Sequence, residues 1–456
     1  MDFILKIFNF ISGLGPSVMM PIIFIILGLI LKAGPGKSIR AGLTVGVGFI
    51  GINLVVSLMG GELGPAVQTM SERFGLSLSI IDVGWPAAAA IAFASTVGTI
   101  IIPVCLLVNI VMLLTNTTQT INIDIWNYWH FAFTGGVTAV LTGSQALGVF
   151  AAILNMVITM VMGDVTAPSF EEVSGLPGIS LPHGFTVAFV PVALIVNKII
   201  DVIPGLNKVD LDMVKIQKRY GVFGEPILVG SVLGVIIGIL AGYDVAGFLG
   251  LGISMGAVLV LIPKMAAMLM EGLLPISDAA SAFIEGRFKS RAKIYIGLDS
   301  AVGIGHPTTL AVSLLLVPIS IFLAVILPGN QVLPFTDLAV IPFIFVLIIP
   351  IVKNNGFRAL VIGIVTMASG LYIATNMAPL ITQSAAAVGF ALPEGATLIS
   401  SICDGANALT WGIVRLHGLG IVGIVICTVI TVGLAVWNRF RIVKEAKAIR
   451  SSGESE

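Results

Sequence analysis

Charge is scarce in this sequence. Lysine, arginine, aspartate and glutamate make up 10% of the 456 residues, against 57% hydrophobic ones. That balance rules out a water-soluble enzyme and describes a polytopic membrane protein. The formal net charge is zero, so no basic surface is set aside for nucleic acid. Cysteine is nearly absent. Cys105, Cys403 and Cys427 lie far apart in apolar surroundings, which suits buried structural thiols rather than a disulfide framework or a metal set. There is no GxxxxGK[ST] sequence, so no nucleotide is bound through a phosphate loop. The four histidines, His130, His183, His306 and His417, lack the spacing of a zinc helix. No cofactor and no metal is expected. Lys6 stands alone before the first apolar segment without a small-residue cleavage site, so that segment reads as retained.

Glycine and proline are plentiful instead, at 52 and 22 residues, and they interrupt the long apolar runs. Gly178-Ile179-Ser180-Leu181-Pro182-His183-Gly184 returns in outline as Gly389-Phe390-Ala391-Leu392-Pro393-Glu394-Gly395, displaced by 211 positions. Ala167-Pro168 and Ala378-Pro379 precede the two stretches at the same displacement. Proline and glycine release backbone groups from a helix. At membrane depth such backbone survives only inside protein or against a wet cavity. Paired interruptions in two halves of a chain mark a transporter binding site. The two stretches therefore read as re-entrant hairpins facing one substrate, with His183 and Glu394 at their tips.

Taken in order, spans are expected at 16–31 and 41–60, then an amphipathic interfacial helix at 62–75. A third span runs to about 114 from Asp82-Val83-Gly84-Trp85-Pro86, a fourth starts at Asp124, and a fifth covers 146–163. The first hairpin follows, with Asp164, Glu171 and Glu172 in its wet mouth. The pattern repeats after a basic central loop: spans at 227–242 and 247–263, an amphipathic segment at 271–293, a broken span beginning at Gly297-Leu298-Asp299-Ser300, and two more before the second hairpin at 378–414. A last span and a basic tail close the chain. This gives an all-α membrane protein of about eleven transmembrane helices with an inverted internal repeat. Residues 15–200 form the first repeat, 224–414 the second, 415–440 the final span and 441–456 the cytoplasmic tail, all within one transport unit spanning 1–456. Only Lys6, Arg73, Lys264 and Arg415 fall outside the loops that this topology places in the cytoplasm, with the N-terminus outside and the C-terminus inside.

Ionisable groups at membrane depth are costly, so each is a candidate for function. His183 sits after a Leu-Pro break, either as a hydrogen-bonding and proton-accepting group or as a cap on freed carbonyls. Asp299 lies between glycine-rich turns with no cation nearby in sequence, suited to accepting sugar hydroxyls or acting as a base. Asp82 either caps its helix or faces the site. His306 precedes Pro307. Asn53 is a polar residue in the glycine-rich second span, whose glycines themselves read as packing. Asp124, Asn127 and His130 are three apart and share a helix face, although the aromatics around them also suit an interfacial belt. Glu394 and Asp404 belong to the second hairpin region, in a wet mouth or at the site. His417 reads as a loop histidine.

Several of these stretches resemble the galactitol-type membrane subunit, enzyme IIC, of the bacterial phosphotransferase system. They include Asp82-Val83-Gly84-Trp85-Pro86, Asp124-Ile125-Trp126-Asn127-Tyr128-Trp129-His130, Gly178 to Gly184, Phe223-Gly224-Glu225-Pro226 and Gly297-Leu298-Asp299. The likeness covers nearly the whole chain and extends more distantly to the ascorbate-type IIC. It implies a homodimeric elevator in the bacterial cytoplasmic membrane, with lipid around it. It also implies a IIB partner whose phosphocysteine phosphorylates the sugar alcohol, with IIA acting indirectly. From the ascorbate relative it implies substrate contacts at His183, Gly184 and Asp299, with Asn53 and His130 matched more loosely. His183 and Asp299 are the expected catalytic pair. The alternative left open is an ion-coupled secondary transporter that releases its polyol or small sugar unmodified, since repeats and broken helices fit both.

Overall fold

The computed structural model describes residues 16–30, 32–75, 78–122, 124, 126–209, 225–288, 294–304, 306–393 and 395–453. Among them, seven helices are long and apolar enough to cross a membrane, and four shorter apolar helices accompany them. The chain is a multi-pass membrane protein, helical apart from six strands of two or three residues that the sequence reading did not anticipate.

Four helices make one group. These are α1 (Pro16–Ile30), α2 (Pro35–Phe74), α9 (Pro226–Ala241) and α10 (Val245–Phe288), packed on one another. The interfacial segment expected at 62–75 is not separate, because α2 runs on through Pro65 to Phe74. One proline removes one hydrogen bond, too little to end a forty-residue helix that packs along α10. The segment at 271–293 is likewise continuous with the preceding span as far as Phe288; Lys289, Arg291 and Lys293 lie outside the described residues. At 1.5 Å per residue these two helices reach about 60 Å, twice the hydrocarbon thickness of about 30 Å.

The second group holds the breaks. In the first half it contains β1 (Ile80–Asp82), α3 (Gly84–Ala94), α4 (Thr96–Leu114), β2 (Thr120–Asn122), α5 (Trp126–Thr142), α6 (Gln145–Ser174), β3 (Ile179–Ser180), α7 (Gly184–Val187) and α8 (Val190–Val202). In the second half it contains β4 (Tyr295–Gly297), α11 (Pro307–Ile326), β5 (Val332–Leu333), α12 (Ile341–Ile351), α13 (Gly356–Ala387), β6 (Leu398–Ser400), α14 (Ala408–Gly418) and α15 (Ile421–Gly453). The third span is thus two helices. Ser95 caps the second by accepting from Gly98 N at 3.0 Å. A Cβ at Gly98 would meet Ala92 O at 2.1 Å, so only glycine fits behind this break. Both Ala-Pro pairs lie within helices, since α6 continues through Pro168 and α13 through Pro379. The breaks come later. Gly175 ends α6 in the left-handed region, and Gly389, also at positive φ, follows α13.

The strands answer for the freed backbone. They form two three-stranded parallel sheets in the orders β5-β1-β6 and β2-β4-β3. Each central strand comes from the opposite half of the chain to its two flanks. Ile80 N donates to Gln331 O at 3.0 Å and Tyr295 N to Gln119 O at 2.9 Å, the same bond made once in each sheet. The groups meet along α3, whose alanines are buried, with Phe24 edge-on to Phe93 at 6.3 Å.

Buried carboxylates anchor these junctions. Asp164 is fully buried rather than in a wet mouth. It accepts from Gln119 N at 3.1 Å, Thr120 Oγ1 at 2.7 Å and Asn438 Nδ2 at 2.8 Å, and so ties the final helix α15 to the β2 sheet. In the second half Thr375 does the equivalent work, accepting from Gln331 N at 3.1 Å. Asp164→Ala strands three donors, each costing about 1–3 kcal/mol when buried without a partner. It should lower stability markedly in denaturant titrations of the detergent-solubilised chain, whereas Asp164→Asn, which keeps an acceptor, should lose less.

Candidate functional site

Three broken segments bring their polar residues to one place. After β3 the chain turns at Leu181-Pro182, and His183 becomes the cap of the short helix α7, its Nδ1 accepting from Thr186 N at 3.3 Å. Thr186 Oγ1 lies 3.0 Å from the same nitrogen and donates to Phe343 O, while the Phe343 ring stacks on His183. His130 projects from α5, and Asp404 from the turn between β6 and α14. Asn407, the cap of α14, donates both to Gly184 O at 3.0 Å and to Asp404 Oδ1 at 3.1 Å.

The contacts form a line. Asp404 Oδ2 is 2.8 Å from His130 Nδ1, His130 Nε2 is 3.0 Å from His183 Nε2, and His183 Nε2 is 3.5 Å from Asp299 Oδ2. In one assignment of protons His130 Nδ1–H donates to Asp404 Oδ2, His183 Nε2–H donates to the His130 Nε2 lone pair, and His183 Nδ1 is left to accept from Thr186. Asp299 Oδ2 then neighbours Nε2 without receiving its proton. Asp404 and His130 are sealed in the core, while the Asp299 side chain keeps 21% exposure. His183 Nε2 thus stands between a partly exposed carboxylate and a sealed imidazole, and its one proton can be directed to either. Burial strengthens the pairing of His130 with Asp404 because no water competes for it.

Asp299 is held from the opposite side. Its Oδ1 accepts from Ala301 N at 2.7 Å, and its backbone N–H donates to Asp124 Oδ2 at 2.9 Å. A matching arrangement exists across the molecule. Asp82 Oδ1 accepts from Gly84 N at 3.1 Å, and Trp85 N donates to Asp337 Oδ1. There, however, Asp82 Oδ2 is taken up by Phe335 N at 2.9 Å and Asp337 N at 3.0 Å. Both Asp82 oxygens thus serve backbone groups in the core, whereas Asp299 turns one oxygen to a titratable side chain and keeps partial exposure.

The remaining candidates are placed as follows. Gly184 opens α7, and a Cβ there would sit 2.6 Å from His130 Cβ. His306 caps α11, half-buried, with its Nδ1 lacking a partner among the described residues. Asn53 lies on α2, in the four-helix group. Glu394 lies outside the described residues. Of the three residues spaced by three, Asp124 and His130 both reach the cluster, while Asn127 donates to Asn122 Oδ1 at 2.9 Å. Trp126 and Trp129 are buried rather than forming a belt at the interface. His417 is not in a loop. It is buried near the end of α14 against Ile413 O. A cavity of ≈ 590 Å³ lies elsewhere, between α2 and β1, lined by Gln68, Glu72, Ser79 and Gln331 among others. The chemistry is at the histidines, and we place the site there.

Sequence reasoning missed Thr186, Asn407 and Asp337. Asn407 had a visible signal, since Ser401-Ile402-Cys403-Asp404-Gly405-Ala406-Asn407 is a polar turn between apolar stretches. Gly184→Ala should push the His130 ring away from both His183 and Asp404. We expect the activity of the site to fall at least about tenfold, the cost of one buried hydrogen bond left unmade, with the purified variant still folded by thermal melting.

The comparisons with known proteins agree with this picture. A model of the family described as "PTS system sugar-specific permease component" matches residues 9–395. The chain is 42% identical over 438 residues to a putative permease IIC component of Escherichia coli K12, covering 96% of this chain and all of that protein. It is 39% identical over 451 residues to the galactitol-specific EIIC components of E. coli K12 and O157:H7, covering 97% of this chain and 99% of each relative. With its family model matched over most of its length and three full-length relatives near 40% identity, this chain belongs to the sugar-specific permease components of the phosphotransferase system, in the galactitol type.

Proposed function

We propose that this chain moves a hexitol, galactitol in the first instance, across the bacterial cytoplasmic membrane for phosphorylation by the phosphocysteine of a IIB partner, itself recharged by IIA. The observation that carries the reading is the buried line from Asp404 through His130 and His183 to partly exposed Asp299. A hydroxyl attacking a phosphoryl group must lose a proton, and Asp299, open on one side and backed by His183, is where that proton can go. In this reading Asp299, with His183 beside it, is the base. The donor of phosphate is on the partner.

The motion fits an elevator. The four-helix group is the scaffold, and the group carrying both broken regions slides against it along the alanine face of α3, which offers little to interlock. The exchanged strands support an inverted repeat of 15–200 and 224–414, with about eleven spans, the N-terminus outside, the C-terminus inside and two copies in the working unit. Within that repeat, the turn at Ser401–Asn407 after β6 is the counterpart of the turn at His183 after β3. A proton-coupled transporter would also use a line of titratable groups, and the experiment separates the two readings.

In membrane vesicles, hexitol uptake should stop without phosphorylated IIB, and the product inside should be the phosphate ester. Asp299→Asn should lower the phosphorylation rate by about 10²–10⁴-fold, the usual worth of general-base assistance, while sugar binding weakens less. Full-rate accumulation of unmodified hexitol without IIB overturns the reading in favour of ion coupling.

A further inference from the structure

Beside Asp299, four buried polar atoms have no partner among the described residues: Asn122 Nδ2, Trp126 Nε1, Asn127 Oδ1 and Ser300 Oγ. Their residues are between 0% and 6% exposed. An orphaned buried polar atom is costly and uncommon. Half of the eight such atoms among the described residues fall in this one region, and together they call for a ligand.

Asp124 draws the four together. Its Oδ1 accepts from Trp126 N at 3.1 Å and its Oδ2 from Asp299 N at 2.9 Å, so one carboxylate staples the start of α5 to the turn carrying Asp299 and Ser300. Asn127 N donates to Asp124 O, and Asn127 Nδ2 to Asn122 Oδ1. Asn122 in turn pairs with Gly297, two residues before Asp299. All four orphans thus sit on the two chain segments that meet at Asp124.

Their chemistry selects the ligand class. Two are N–H donors, one is a carbonyl acceptor, and the serine hydroxyl serves as either. Donors repel a metal cation, which takes oxygen ligands. An anion would face Asp124 and Asp299 with no Lys or Arg paired to the cluster among the described residues. A neutral chain of hydroxyls, each both donor and acceptor, satisfies the whole set. The half-buried Trp85 ring lies 6.1 Å from Trp126 and 6.3 Å from Trp129, an aromatic wall for the C–H face of such a ligand.

We propose that Asn122, Trp126, Asn127 and Ser300 form the hydroxyl-reading wall of the substrate site and choose among stereoisomeric hexitols. The proposal rests on the sugar-transport reading above and adds the residues that set specificity, distinct from the groups that move the proton. A site built to bond particular hydroxyls rejects the isomer or deoxy analogue that lacks them, because its own polar atoms are then left unpaired.

The test is equilibrium binding to the full-length purified chain in lipid nanodiscs, using galactitol, mannitol, glucitol and the monodeoxygalactitols. Trp126→Phe and Ser300→Ala each remove one hydrogen-bonding group with little change in volume, and Asp299→Asn is the control. Each wall variant should bind the preferred hexitol about tenfold more weakly. Each should also bind one particular monodeoxy analogue as well as the parent does, a different analogue for each variant. If Asp299→Asn weakens binding but both wall variants leave it unchanged, or weaken every ligand by one common factor, the orphans are structural and this inference is overturned while the transport reading stands. If Asp299→Asn is also without effect, or the parent binds no hexitol, the site itself is misplaced and both fall. Thermal melting of each variant confirms the fold, and the smaller Ser300→Ala change decides alone should Trp126→Phe fail to fold.

Discussion

A polar backbone group left unpaired at membrane depth costs several kcal/mol, and this chain breaks its helices repeatedly. The two small parallel sheets meet that constraint. Six of the broken segments carry a strand of two or three residues, and each central strand takes its partners from the other half of the chain. Asp82, Asp164 and Asp337 then absorb backbone donors that the strands leave over. The site is a by-product of the same solution. Its aspartate follows a central strand, and its histidine follows a flanking strand of the same sheet.

The near-symmetry of the two sheets makes their difference informative. Asp82 ends the central strand of one sheet, Asp299 follows that of the other by two residues, and each accepts from the backbone two residues on. In one sheet the remaining carboxylate oxygen is consumed by backbone N–H groups. In the other it meets His183, and behind His183 stand His130 and Asp404. A carboxylate closed by backbone and one open to a side chain thus arise from one local design, separated by what occupies the second oxygen.

How much of this was legible in the sequence follows from the range of each signal. The apolar runs, the broken segments and the candidacy of His183, Asp299, His130 and Asp404 rest on composition and spacing, which are local. The strands were not legible, because two residues carry no periodicity and their pairing is set by segments hundreds of positions away. The helix ends were misjudged at Pro65, Pro168 and Pro379, where packing overrides a single lost hydrogen bond. Glu394, matched to His183 by a displacement of 211 positions, lies outside the described residues, while Asp404 and Asn407 in the turn after β6 reach the histidines. Asp82 resembled Asp299 in sequence, and only the hydrogen bonds of its second oxygen tell them apart.

The exchange of strands has a consequence for biosynthesis. β1 emerges early, yet its partner β6 is made roughly 300 residues later, a delay of about 15–60 s at ordinary elongation rates. Until β5 arrives, roughly 250 residues after β1, Ile80–Asp82 has open edges on both sides, and one stays open until β6; no contact made within the first half can close them. Neither half can finish folding as a unit. The nascent chain must keep an incomplete core sheltered until almost its last residues arrive, so its folding is of high contact order and its yield depends on what protects the unfinished edge meanwhile.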